Sequence, residues 1–355
     1  MANEYKTNIE HMLLGYYIKY DKLQELTSQT LINSRFAECD DVDIYIDVYD
    51  MFKQLYTSNV YTTKNFILVS SVINLVAHLR EFYWSRYHVN SRIFVVYGDC
   101  SCINHKQFYL NFGDQDFSQM RNFDITNRSI QSQLEMIKIL CGYIYRCYYI
   151  RRTTDFSMFT YDNILKNPNI PSIIITKSKY SYQIPAMCEN AFIYRPKKFK
   201  QQDLSIAITH GNVLFAYNNK INREKTIEQL KFINPKLLSL IMALTGLSSK
   251  KLLTLLNTTT AVGRVYKAIT ENKIINDYNT DIDYVYNALE LFSSIDQVNF
   301  KYRFNAVDLV YQWRLYSNMA EYNDVSWFID LKDRRGMHEI ANKYFIDNPL
   351  DLNSL

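Results

Sequence analysis

The chain has 355 residues, 48% hydrophobic and 21% charged, a globular composition that excludes disordered and collagen-like classes. Its net charge of +4 and pI near 8.5 are compatible with a nucleic-acid partner but fall short of a dedicated basic binder. Six scattered cysteines exclude a small disulfide scaffold and point to reduced thiols. In chain order, residues 4–33 carry Ile9, Met12, Leu13, Tyr16, Tyr17, Tyr20, Leu23 and Leu26 at spacings of three and four, the pattern of an amphipathic helical lead. Residues 43–48 (Asp-Ile-Tyr-Ile-Asp-Val) read as a buried strand, followed by a helix over 49–57. A long amphipathic helix is expected over 65–87 and a second buried strand over 91–97. Residues 129–146 read as helix, 147–151 as strand, 156–165 as helix and 173–176 as strand. Strands alternating with helices of this length argue for an α/β fold, a mostly parallel sheet of four or five strands with helices on both faces.

From about residue 203 the character changes. Residues 204–209 and 213–217, separated by His210-Gly211-Asn212, read as a β-hairpin. Residues 235–245 read as helix, and short helices follow to about residue 272. Aromatics such as Tyr284, Phe292, Phe304, Tyr311 and Trp313 then recur at helical spacing, a pattern that more often marks core than a binding surface. The expected organisation is a helical lead (1–40), an α/β domain (41–202), a hairpin and helical clamp region (203–272) and a helical C-terminal region (273–355). The N-terminus lacks a signal-peptide pattern, and no run of about 18 apolar residues is present, so a soluble protein of the cytoplasm or of a virus particle is expected. Heavy use of Ile, Asn, Lys and Tyr (30 tyrosines against 8 glycines) fits an AT-rich genome and favours a phage, a large virus or an AT-rich bacterium as source.

Residues 173–184 (Ile-Ile-Ile-Thr-Lys-Ser-Lys-Tyr-Ser-Tyr-Gln-Ile) resemble a segment of the 5′-nuclease family, the flap endonucleases and phage-type 5′-3′ exonucleases with PIN-like domains. That family carries an apolar strand, a Thr-Gly-Asp-Lys-Asp-type turn and an apolar-Gln-apolar step. Thr176, Lys179, Gln183 and Ile184 match, while Ser178 and Tyr180 stand where the two aspartates would be. Asp47, ending its strand before a helix, is similar to the family's first strand. The stretch Ile93-Phe-Val-Val-Tyr-Gly98-Asp99 resembles the second strand, with its terminal Asp-Gly inverted. Residues 134–140 and 148–150 resemble the third helix–strand unit. At the family's acidic cluster only Asp155 is acidic. Residues 233–251 resemble the entry to a helix–turn–helix clamp, with Leu247 and Lys250 at two aspartate positions and a single glycine, Gly263, in the clamp turn.

The resemblance implies a 5′-nuclease-like fold and, in intact members, two-metal phosphodiester hydrolysis with ions about 4 Å apart held by several convergent carboxylates. Here the remnant metal ligands would be Asp47, Asp99 and Asp155. No cofactor is expected, although one Mg²⁺ held by one or two carboxylates and waters is compatible with hard-cation chemistry. A competing reading of Asp47 is a cap on the following helix. Candidate nucleic-acid contacts are Arg151 and Arg152 after the third strand, Lys197, Lys198 and Lys200 in a cationic run, and Lys250, Lys251 and Arg264 in the remnant clamp. Short cationic runs are also the ordinary solvated face of a protein.

Cys100-Ser-Cys102 with His105 supplies half a zinc site, and no second Cys/His pair has matching spacing. His210 and His338 lack a paired acid or nucleophile and read as structural. Three functions follow as expectations. The first is a catalytically degenerate 5′-nuclease-like subunit that binds DNA or RNA or a protein partner in a viral or replication complex. The second is a virion or assembly scaffold. The third is an active nuclease using other ligands, such as Asp50, Asp114, Asp116 or Asp162.

Overall fold

Strand β1 (Asp41–Asp47) is buried along almost its whole length, as a central strand covered on both faces must be. The computed structural model describes residues 39–57, 67–98, 128–152, 156–194, 208–211, 213–217 and 233–245. β1 leads into α1 (Val48–Thr57) and α2 (Ile67–Tyr87), then β2 (Asn90–Gly98), α3 (Arg128–Tyr143) and β3 (Cys147–Arg152). The chain continues through α4 (Phe156–Lys166), β4 (Ser172–Ile175), a 3₁₀ turn (Lys179–Tyr182), α5 (Gln183–Met187) and β5 (Ala191–Tyr194). Beyond these lie α6 (Val213–Tyr217), a 3₁₀ turn (Pro235–Leu237) and α7 (Leu238–Thr245).

The five strands form one sheet in the order β3-β2-β1-β4-β5, and every ladder is parallel. The expected α/β architecture is therefore present, and the four anticipated strands are adjacent in it, with β3 at one edge. β5 is the additional strand, paired through Ile173↔Phe192 and Ile174↔Ile193.

The period-two pleat divides β1 between two layers. Val42, Ile44 and Ile46 join Leu68, Val72, Leu75, Val76 and Leu79 of α2 and Leu134, Ile137 and Leu140 of α3 in one apolar cluster. On the opposite face Tyr45 stacks on Phe94 with ring centroids 4.9 Å apart, and Phe94 stacks on Tyr148 at 5.3 Å. Phe159 of α4 meets Tyr45 edge-on. A buried Gln133 on α3 accepts from the Leu68 amide at 3.0 Å, satisfying one orphan donor of the first turn of α2.

The expected hairpin is corrected in part. Residues 213–217 are helical, with Val213, Leu214 and Tyr217 buried, and Ile208 instead makes an antiparallel bridge to Ile193 of β5. A five-residue apolar run satisfies either period, and docking of one side against the 3₁₀ turn selects the helix. Residues 204–207, the helical lead, the clamp beyond residue 245 and the C-terminal aromatic helices lie outside the described residues.

Two non-glycine residues adopt positive φ, His88 and Arg146, both at 55°. His88 follows α2, its amide donating to the Trp84 carbonyl at 2.9 Å, a left-handed helix cap that favours glycine. Relief of left-handed strain in His88→Gly is expected to outweigh the lost edge contact of the ring with Trp84 and to raise stability by about 0.5–1 kcal/mol. Urea unfolding at one pH checks this, and a loss of stability would contradict it.

Candidate functional site

Strand order reverses between β1 and β4, so their carboxyl ends form the topological switch point at which open parallel sheets hold ligands. Asp47, Asp50 and Thr176 meet there. Asp47 is buried, and its Oδ1 accepts from the Asp50 amide at 3.0 Å. Asp50 is the third residue of α1, so this is the geometry of a helix N-cap. The other oxygen, Oδ2, accepts from the Thr176 hydroxyl at 2.8 Å.

Thr176 Oγ1 in turn accepts from the Ser178 amide at 3.0 Å, and Asp50 Oδ2 accepts from the Lys177 amide at 2.9 Å. Two carboxylates of β1–α1 thus tie down the turn after β4. Both oxygens of Asp47 are engaged in holding backbone and side chain. The capping role weighed for Asp47 is present. Asp50, read from the sequence only as an alternative ligand, is a second backbone clamp; its signal was an acidic residue in the first turn of a helix.

The positions where the resemblance places two aspartates are built differently. Ser178 precedes the 3₁₀ turn with φ −66° and ψ 118°, and its side chain makes no capping bond. Tyr180 is buried. Ser181 and Ser157 share a buried hydroxyl contact of 2.5 Å, linking the turn to α4. Gln183 accepts from the Ser239 hydroxyl at 2.9 Å, linking it to α7. Lys179 Nζ lies 5.7 Å from the centroid of the Tyr217 ring, an attractive cation–π placement against α6. This segment is therefore a packed joint between three helices.

These residues fit a two-metal centre poorly. A hydroxyl and a buried phenol replace carboxylates, and the carboxylates that are present hold hydrogen-bond donors. Among the described residues, no group of three or more His, Cys, Asp and Glu side chains is placed to hold a metal ion. Asp162, another alternative ligand, pairs with Lys166 on α4 at 2.8 Å. Asp99, Asp155, Asp114 and Asp116 lie outside the described residues.

Arg151 and Arg152 end β3 in register with Tyr97 and Gly98 of β2, and the Arg151 side chain is exposed. Both stand on the same carboxyl edge as Asp47, two strands away, and Thr176, which follows the strand beyond it. Lys197, Lys198, Lys200, Lys250, Lys251 and Arg264 fall outside the described residues, as do Cys100, Cys102 and His105. His210 has its Nδ1 3.0 Å from the Pro185 carbonyl, a structural tie. The described cysteines Cys39, Cys141, Cys147 and Cys188 form no disulfide. No helix among the described residues is long and apolar enough to cross a membrane.

Fold and site together define a parallel α/β protein whose switch-point carboxylates are hydrogen-bonded to its own turn. No family model matches this sequence, and no curated protein matches it at a significant level. Among solved structures, the catalytic core of Rad2 in complex with DNA substrate is similar over 90% of this chain and 91% of its own, at 8% identity and a TM-score of 0.47. A T5 protein co-crystallised with metal ions is similar over 77% of this chain and 96% of its own, at 13% identity and a TM-score of 0.44. The T5 5′-exonuclease with divalent zinc bound covers 76% of this chain and 89% of its own, at 11% identity and a TM-score of 0.41.

Proposed function

We propose that this chain is a catalytically degenerate 5′-nuclease-like protein, acting as a nucleic-acid-binding or complex-forming subunit in a phage or virus. The observation that carries this reading is the state of Asp47. The carboxylate that the motif resemblance puts forward as a ligand caps α1 and accepts from Thr176. The replacement of motif aspartates by Ser178, Tyr180, Leu247 and Lys250 supports it independently. The exposed Arg151 at the carboxyl edge supplies the cation that a phosphate backbone would meet.

Purified protein with Mg²⁺ or Mn²⁺ is expected to leave flap, nicked and single-stranded DNA uncut above background. Cleavage that vanished in Asp47→Asn would overturn the degenerate reading, because asparagine preserves the cap and removes only the anionic ligand.

Binding is tested separately by titrating duplex and single-stranded probes at several salt concentrations. Sequence-independent affinity that falls steeply with salt is expected. Arg151→Glu/Arg152→Glu should weaken it at least about tenfold and flatten the log–log salt slope by about 2. Changing Lys197, Lys198 and Lys200 should have a milder effect. Flat titrations together with a protein complex of fixed stoichiometry would favour the scaffold reading.

A further inference from the structure

At the amino edge of the sheet, opposite the switch point, lies an exposed aromatic patch to which the reading above assigns no role. Trp84 and Tyr145 are 55% and 54% exposed, the highest values among the large exposed hydrophobic residues described. Arg80, Trp84 and His88 follow one another at intervals of four at the end of α2, so they lie along one side of that helix and its cap. The His88 ring meets Trp84 edge-on at 6.0 Å, and the Arg80 guanidinium lies 5.5 Å from the centroid of the Tyr145 ring. Arg80 also donates to the Tyr145 carbonyl, which joins the turn before β3 to α2. The two pairs are joined through α2, on which Arg80 and Trp84 stand one turn apart.

We infer that this patch is the docking surface for the apolar stripe of the chain's own residues 9–26. Three observations select this occupant. First, that segment carries Met12, Leu13, Tyr16, Tyr17, Tyr20 and Leu23 at amphipathic spacing, and such a stripe needs an apolar surface to cover it. Second, the segment joins the fold beside the patch. The Asp40 carbonyl accepts from the Asn90 amide at 2.9 Å, and Asn90 is two residues beyond His88. The five residues 34–38 can span about 17 Å when extended, so the stripe is tethered close to this edge.

Third, the charge of this edge disfavours a polyanion. Arg80 is held by Tyr145, Arg92 by Asp43 at 2.6 Å, and Arg146 by Asp41 at 2.8 Å. Two of these three arginines are neutralised by carboxylates, and Arg80, bonded to a neutral carbonyl, alone keeps its charge. The aromatic faces therefore make up most of the attraction and suit an apolar helix better than a phosphate backbone.

Hydrogen exchange on the full chain tests the inference, comparing the wild type with Trp84→Ala/Tyr145→Ala. Peptides covering residues 9–26 should be protected in the wild type and should exchange about tenfold or more faster in the variant. Peptides covering 67–98 and 128–152 should be unchanged, because both substituted side chains are more than half exposed. If the double variant disturbs those regions, Leu13→Asp/Tyr17→Asp gives the same readout with the edge intact. Unprotected 9–26 in the wild type, or protection indifferent to both variants, overturns the inference. Protection that rises with protein concentration also overturns it, by pointing to a second copy of the chain. Protection that appears only on adding single-stranded DNA overturns it in favour of a nucleic-acid ligand.

Discussion

Arg92→Met is expected to destabilise the protein by about 3–5 kcal/mol, because it strands a buried charge in the central strand. Asp43 is fully buried, and its two oxygens receive Nε and Nη2 of Arg92 at 2.6 and 2.7 Å. Tyr45 donates to the same carboxylate at 3.3 Å and accepts from Asn163 at 2.7 Å. Burial pushes the Asp43 carboxyl above its ordinary value, and the hydrogen bonds and charge of Arg92 only partly offset this. The same bonds raise the Arg92 guanidinium, so the pair is attractive even though burial dominates at the acid.

The pH dependence follows from that direction. The native state holds the Asp43 proton more tightly than the unfolded chain does. Between the ordinary value of 3.8 and the raised native value it binds more protons, so this group's contribution to stability falls as pH rises through that interval. Without Arg92 the native value climbs further and the interval widens toward neutrality. The urea midpoint of Arg92→Met should therefore drop more between about pH 4.5 and about pH 7.5 than that of the wild type. Adding Asp43→Asn should recover most of the loss, since a neutral amide still accepts from Tyr45. A single variant as stable as the wild type at neutral pH would show that the pair contributes little.

Asp47→Ala is expected to cost about 2–4 kcal/mol. Loss of an N-cap accounts for about 0.5–2 kcal/mol, and leaving the buried Thr176 hydroxyl without its acceptor adds about 1–3 kcal/mol. Asp47→Asn keeps a good capping acceptor, so its cost should stay below about 1 kcal/mol. Denaturant unfolding of the two variants separates a structural carboxylate from a catalytic one. A merely catalytic Asp47 would leave both variants near wild-type stability, and equal costs for both would argue that the negative charge, more than the cap, is what the fold uses.

Much of this architecture was legible along the chain. Ile44–Ile46, Ile93–Val96 and Ile173–Ile175 are β-branched, apolar and separated by helical periodicities, a combination that in a chain of this size favours a parallel sheet. The helix of α2 was readable within two residues of its start because its buried apolar residues recur from Ile67 to Tyr83. Two short elements were not. β5 has four residues next to a cationic run, and Val213–Tyr217 fits either period until packing chooses. Within the site, the residue types were visible but their partners were not. Asp47 showed itself as a strand-end acid before a helix, which is enough to suspect a cap. Its second partner, Thr176, is 129 residues away, and Lys177 is 127 residues from Asp50.

Residue pattern along the chain set the kinds of element, the two-sided burial of the central strands and the presence of a hydroxyl and a phenol at Ser178 and Tyr180. These are local properties, set by side-chain period and by residue chemistry. The tertiary structure decided the strand order, and with it which polar groups meet. Returning β4 to the far side of β1 places Thr176 against Asp47 and the Lys177 amide against Asp50. A hydrogen bond between residues so far apart depends on the path of the crossover, which period and propensity do not specify. That path turned two carboxylates at a ligand-binding edge into the clamp on a turn.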